Sequence, residues 1–286
     1  MKNFLVLIIL FFLFSCAKEQ PKVAWIKIDS WDLLPNSNAV MNQGELSHKF
    51  SYVFLNVDGS SLGVYELPAK IPLIVTEGDH NIVLLPGVVS TDGMSTKIER
   101  YPFVESFDEN FYLKVEDTIT ISPFTKYYST INFLIEDFES PSMQVDVSDN
   151  SVASIGRNND PDILKWGNNY GEILLNTNDS LLVLMTTFGN SYPKPGVDVY
   201  LEFDYMNTNS FMTSVLSYGS DGFFDDPLHI LTPQNKPVWK HTYYNLKQVL
   251  SHRMSSQNNE IQLSFLLDDE KTSSYVYIDN IKVIFP

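Results

Sequence analysis

The stretch Ser274-Tyr275-Val276-Tyr277-Ile278-Asp279-Asn280-Ile281-Lys282-Val283-Ile284 decides how this chain folds. Val276 and Ile278 have even parity, whereas Ile281 and Val283 have odd parity. Both pairs face one core only if the strand gains a residue between them, and a β-bulge at Asp279-Asn280 supplies it. A bulged strand with one apolar face belongs to a sheet packed on a second layer.

The same period recurs upstream. Val199, Leu201, Phe203 and Tyr205 alternate with Tyr200, Glu202 and Asp204, which predicts one buried and one solvated face. Ile261, Leu263, Phe265 and Leu267 alternate with Gln262, Ser264 and Leu266. Turn signals separate the strands: Asp58-Gly59, Glu77-Gly78-Asp79, Asp92-Gly93, Asn158-Asn159-Asp160-Pro161, Pro193-Lys194-Pro195-Gly196 and Asp221-Gly222. Only 245–252 could make two helical turns, with Asn245 as N-cap. The expected fold class is all-β, built from sandwiches.

Of 286 residues, 44% are apolar and 19% charged, which is ample for packed cores and against disorder. Net charge is −16, so polyphosphate backbones would be repelled and nucleic acid is not expected as a partner. The single cysteine excludes an intrachain disulfide. It is Cys16, and it follows a positive start at Lys2 and an apolar run from Phe4 to Phe14. That run is short of the ~20 residues a spanning helix needs. It fits a secretory core of ~7–15 residues.

Leu13-Phe14-Ser15-Cys16 resembles the lipobox of bacterial lipoproteins. The resemblance implies a signal peptide over 1–15, a lipidated Cys16 and a polar tether over 16–22. The protein is then expected in the bacterial cell envelope, anchored in the outer membrane, in its periplasmic or surface leaflet.

Within 23–128, the order Val57-Asp58-Gly59, Leu62-Gly63, Pro68 with Ile71-Pro72-Leu73, Gly78-Asp79-His80 and Pro86-Gly87 resembles the PEGA domain. That is an Ig-like β-sandwich, here with extra strands and a longer insertion over 90–110. His80 reads as a turn histidine bonded to backbone, since no His or Cys lies at ligand spacing. Tyr101-Pro102-Phe103 is expected to pack the insertion onto the sandwich.

Within 129–286, the opening Phe133-Leu134-Ile135-Glu136-Asp137-Phe138-Glu139 and the closing aromatic-x-Ile278-Asp279-Asn280-Ile281 resemble jelly-roll carbohydrate-binding modules and related galactose-binding-like domains. The resemblance implies a structural calcium held by Glu139 and Asp279, with Asp137 as a further candidate; no other cofactor is required. It also implies a glycan ligand. Aromatic faces and planar polar groups in loops serve that role, and Trp166-Gly167-Asn168-Asn169-Tyr170 mixes both. Trp166, Asn168, Asn169 and Tyr170 are therefore the candidate ligand residues, against the plainer reading of a tryptophan buried under a sandwich edge. Tyr192, Tyr218, Phe223, Phe224 and Asn190 are weaker candidates, and Trp239 reads as core.

Catalytic signatures are lacking. The chain has no Gly-x-Ser-x-Gly, no His-Glu-x-x-His and no phosphate-cradling glycine loop. Glu136, Asp137 and Glu139 lie too close in sequence to be an acid and base on opposing strands. The expectation is a lipid-anchored, non-catalytic envelope protein whose jelly-roll head binds polysaccharide. The alternatives are an assembly component that docks a surface protein, and a glycoside-active enzyme with an unrecognised site.

Overall fold

A computed structural model describes residues 22–188, 192, 196–220, 222–253 and 256–286; Cys16, the leader, most of the tether and Asn190 lie outside them. The chain is all-β. The first block holds β1 (Ala24–Ile28), β2 (Asp32–Leu33), β3 (Tyr52–Val57), β4 (Ser60–Glu66), β5 (Ala69–Leu73), β6 (Gly78–Thr91), β7 (Thr96–Arg100), β8 (Phe107–Leu113), β9 (Thr118–Ile121) and β10 (Phe124–Thr125). The second holds β11 (Asn132–Glu136), β12 (Val145–Val147), β13 (Ile155–Asn158), β14 (Tyr170–Asn176), β15 (Leu181–Thr186), β16 (Tyr200–Asn207), β17 (Phe211–Gly219), β18 (Gly222–Leu231), β19 (Lys240–Asn245), β20 (Ser256–Leu266) and β21 (Ser273–Phe285). One short helix, α1 (Lys247–His252), follows β19, and Asn245 Oδ1 accepts the Lys247 N–H at 3.1 Å. Among the described residues no helix is long and apolar enough to cross a membrane.

The second block is a jelly-roll sandwich. From β14 to β21 the chain crosses between two sheets at nearly every step. One sheet runs β13-β14-β21-β16-β19 and the other β12-β15-β20-β17-β18. Ile173, Leu201, Phe203, Leu263, Phe265, Val276, Ile278, Ile281 and Val283 fill the space between them. The expected bulge is present: Glu202 pairs with Lys282 and Asp204 with Asp279, so two steps on β16 oppose three on β21. Asn280 takes φ 52°, which turns the strand.

In the first block, β5-β1-β9 packs over β3, β4, β6 and β8. The core between them holds Ile26, Ile28, Val53, Leu55, Ile82 and Leu84. His80 is bonded through both ring nitrogens, to Asp58 Oδ2 at 2.6 Å and to the Thr76 carbonyl at 2.8 Å.

The two blocks share a sheet, because β19 pairs in parallel with β6 at Tyr243–Ser90 and Tyr244–Thr91. This corrects the expectation for β16. All eight of its residues are buried, not one face only. The face read as solvated, with Tyr200, Glu202 and Asp204, lies under the first block.

Those buried charges are matched one by one. Tyr101 donates to Glu202 Oε2 at 3.0 Å and Tyr127 to Glu202 Oε1 at 3.4 Å. His241 Nδ1 lies 3.0 Å from Asp204 Oδ1, and Asn280 Nδ2 donates to Asp204 Oδ2 at 3.1 Å. Lys282, fully buried, donates to the Glu45 carbonyl. Rings of Phe50, Phe103, Tyr200 and Tyr243 close around Tyr101 at 5.3–5.7 Å.

This junction titrates. Burial alone would lower the His241 pKa, but the carboxylates of Asp204 and Glu202 outweigh it and hold it at about 9, up from 6.5. Burial, with the charges of Asp204, Asp137 and Glu139, raises Asp279 from 3.8 to about 8. The stabilising share of His241 is complete below pH 6.5 and lost as pH rises through about 9. Asp279 keeps in the fold a proton that the unfolded chain releases, so its share also falls as pH climbs towards 8. At about 1.4 kcal/mol per pKa unit, His241 alone accounts for roughly 3 kcal/mol. The melting temperature is therefore expected to drop on the order of 5–10 °C between pH 6.5 and 9.5. Asp279→Asn should flatten part of that slope. Calorimetry across this range checks it, and a level profile refutes the assignment.

Candidate functional site

The outer face of the jelly-roll sheet is covered at one end and open at the other. Register places Glu172 opposite Tyr277 and Leu174 opposite Tyr275, with Gly156 opposite Glu172 and Asn158 opposite Tyr170. Because Val276 and Ile278 point into the core, Tyr275 and Tyr277 must point outward. Their rings stack at 4.6 Å with 19° between planes, and both are half-buried. Leu174 beside them is 54% exposed, more than a lone core residue would be.

A groove of about 420 Å³ runs along this face, lined by Ser154, Gly156, Glu172, Leu174, Asn176 and Asp179 among others. Glu172 Oε1 accepts from Asn158 Nδ2 at 2.8 Å, and Asp179 Oδ2 accepts from Asn176 Nδ2 at 2.9 Å. Each carboxylate keeps lone pairs free for a ligand hydroxyl or amine. Burial raises the pKa of the Tyr277 hydroxyl, and so do the charges of Glu172, Tyr275 and Asp160. The neighbouring Tyr170 hydroxyl is pushed up by burial and then by Tyr277, Glu172 and Asp160. Among the described residues it has no hydrogen-bond partner, although it is buried.

The segment 159–169 folds over one flank of this face. Trp239 Nε1 donates to the Ile163 carbonyl at 2.7 Å. Trp239 meets Trp166 edge-on at 5.5 Å and Tyr170 at 6.0 Å, and Tyr170 meets Tyr277 at 5.1 Å. Lys165 Nζ sits 4.4 Å from the centre of the Trp166 ring. Trp239, read as core, is half-buried and clamps this loop.

The four candidate ligand residues divide. Trp166, half-buried, and Tyr170, buried, join the aromatic cluster. Asn168 and Asn169 turn instead to Glu139. Their backbone N–H groups donate to Glu139 Oε1 at 2.6 and 2.8 Å, and their amides to Oε2 at 3.1 and 3.5 Å. Glu139 loses solvation there, but those four donors outweigh burial and lower its pKa. Among the weaker candidates, Tyr192 is buried, and Tyr218 packs on Phe223 at the far sheet, 5.2 Å away. Sequence reasoning missed Tyr275, Tyr277 and Glu172. The signal was the Tyr-x-Tyr alternation opposite Val276 and Ile278.

The expected calcium residues are placed as follows. Asp279 is 2% exposed, holds its proton at neutral pH and accepts the Asn280 N–H at 2.8 Å. Asp137 Oδ1 accepts the Glu139 N–H at 3.2 Å. A cation here would have to displace the Asp279 proton and the four donors on Glu139. Among the described residues no three His, Cys, Asp or Glu side chains converge as a metal set.

No family model matches this chain, and no curated protein matches it. Among solved structures it is similar to a xylan-binding domain from CBM 22, at 14% identity and TM-score 0.38, over 53% of this chain and 92% of that one. It is similar to the family 11 carbohydrate-binding module of cellulosomal cellulase Lic26A-Cel5E of Clostridium thermocellum, at 15% identity and TM-score 0.37, over 55% and 95%. A further match is a carbohydrate-binding module from the beta-sandwich super family, at 12% identity and TM-score 0.38, over 81% and 84%. The sandwich assignment rests on the strand pairing and core described above.

Gly167 tests how the loop is held. Its φ is +54°, and a Cβ there would lie 2.5 Å from Glu139 Oε1. Gly167→Ala is expected to cost about 1–2 kcal/mol and a few degrees of melting temperature. It should also shift Trp166 emission as the loop loosens. Unchanged melting and emission would show that Glu139 does not fix this loop.

Proposed function

We propose that this is a lipid-anchored, non-catalytic protein of the bacterial envelope whose jelly-roll head binds glycan. One observation carries the reading: Tyr275 and Tyr277 stack side by side on an outward sheet face, beside the polar groove of Glu172, Asn176 and Asp179. Sugar rings present apolar faces and a rim of hydroxyls. The side of Tyr275 turned away from Tyr277, with exposed Leu174, takes the first, and carboxylate and amide groups take the second.

The sheet order favours presentation of this groove. β14 lies four strand steps from β6, roughly 20 Å at ordinary strand spacing. The chain enters the fold at β1, in the first block. A tether at Cys16 would thus leave the groove at the far end.

Tyr277→Ala and Tyr275→Ala are expected to weaken retention on polysaccharide gels on the order of tenfold, with the melting temperature little changed. A glycan array with no hits, together with a protein partner recovered by cross-linking, would establish the assembly role instead. Cys16→Ala is expected to move the protein from the membrane to the soluble fraction of growing cells. Retention in the membrane fraction would discard the lipid anchor.

A further inference from the structure

We propose that a break in the shared sheet, between β3 and β19, is a second ligand site that takes a neutral sugar of one or two rings. It is separate from the groove on β14. β6 carries two partners in succession along one edge. β3 pairs with it as far as Tyr52–Gly87, and β19 joins it at Tyr243–Ser90. β7 pairs with both Gly87 and Ser90 on the opposite edge, so β3 and β19 share the remaining one. Among the described residues neither pairing reaches Val88 or Val89. A cavity of about 330 Å³ opens at this break, with walls from both blocks. Small-molecule sites favour such junctions.

An unsatisfied donor is the second observation. His241 lines the cavity, and its side chain is 4% exposed. Its Nδ1 is engaged with Asp204 Oδ1 at 3.0 Å. Its Nε2 is buried and, among the described residues, has no hydrogen-bond partner. Glu202 Oε2 lies 3.7 Å away, beyond hydrogen-bond reach, and already accepts from Tyr101. Asp204 and Glu202 keep the ring protonated near pH 7, so both nitrogens are donors. A buried donor without an acceptor is costly, and a ligand oxygen in the cavity relieves that cost.

Charge and lining set the class of ligand. The His241 proton is answered by Asp204 and Glu202, and the exposed rim carries Lys49 and Glu66, of opposite sign. An anion would meet the field of the carboxylates, and a cation that of His241 and Lys49. The hydroxyls of Ser51, Tyr52, Thr96 and Thr242 each donate and accept, as sugar hydroxyls do. Val89, 41% exposed, offers an apolar patch to a sugar's C–H face. The volume is near the low end of the roughly 300–1,000 Å³ usual for small-molecule sites, which suits one or two rings.

The test follows the His241 ring signals by NMR in the whole protein. Glucose, galactose, mannose, xylose, N-acetylglucosamine and cellobiose are each added to about 100 mM, because ligands of so few atoms bind weakly. At least one is expected to shift the Nε2–H signal to saturation and to leave His80, bonded through both ring nitrogens, unmoved. Val89→Trp fills the cavity from an exposed position and should weaken binding about tenfold or more. Ile74→Trp, exposed elsewhere in the first block, should not. Should V89W fail to fold, T96W takes its place. No His241 shift with any of the six, or an equal shift of His80, overturns the site. Full binding in V89W places the sugar in the groove instead, which overturns the second site and leaves the glycan reading standing. Loss of retention on polysaccharide gels with the His241 shift intact removes the groove reading alone. At about pH 6, where a sugar amine is charged and a uronate ionised, tighter binding of glucosamine or glucuronate than of glucose overturns the neutral class.

Discussion

Everything in this structure depends on two carboxylates, Glu202 and Asp204, being held away from water. Each is 1% exposed. Charges in that state cost several kcal/mol apiece unless partners surround them. The partners come from both blocks: Tyr101 and Tyr127 from the first, His241 and Asn280 from the second. Removing either block would strand hydrogen-bond partners and bare a nest of tyrosine and phenylalanine rings. A cluster of this kind adds little net stability against a hydrophobic equivalent, and its directional bonds favour the arrangement that brings Tyr101 and Tyr127 onto Glu202. It therefore fixes where the first block sits on the jelly roll.

That placement divides one sheet face between two roles. β16 and β21 both run across it. Where they carry Tyr200, Glu202, Lys282 and Ile284, the first block covers them. Where β21 carries Tyr275 and Tyr277, the face is open and adjoins the groove. The bulge at Asn280 lies between these ends. It lets Val276 and Ile278 share a core with Ile281 and Val283, and it turns the Asn280 amide to Asp204. One inserted residue thus serves packing on one side and charge matching on the other.

The closing strand was legible because parity is a local property. Four apolar residues out of phase require a bulge wherever the strand lies. The outward face was not legible, because alternation separates two faces without saying what covers each. Glu202 and Asp204 look like solvated residues until a second block lies on them. Tyr275 and Tyr277 look like ordinary strand aromatics until their neighbours Glu172 and Leu174 are known to be open. Asn168 and Asn169 illustrate the same point. Loop amides read as free for ligands, yet the left-handed turn at Gly167 brings both backbone N–H groups onto Glu139. That pairing spans about thirty residues and leaves no periodic trace.

The chain's negative charge has two fates. At the junction, carboxylates are met by His241 and by tyrosine hydroxyls, and the Asp279 pKa of about 8 leaves it neutral near pH 7. There the acid groups specify architecture, and Glu202, Asp204 and Asp279 are buried. At the groove, Glu172 and Asp179 meet only neutral amides and remain at the surface. Surface carboxylates are ordinarily satisfied by water, so exposure alone would mean little. What distinguishes Glu172 is its place opposite Tyr277 and beside exposed Leu174, since an apolar face excludes water from one side of an arriving ligand. A charge beside such a face interacts more strongly than one in bulk solvent.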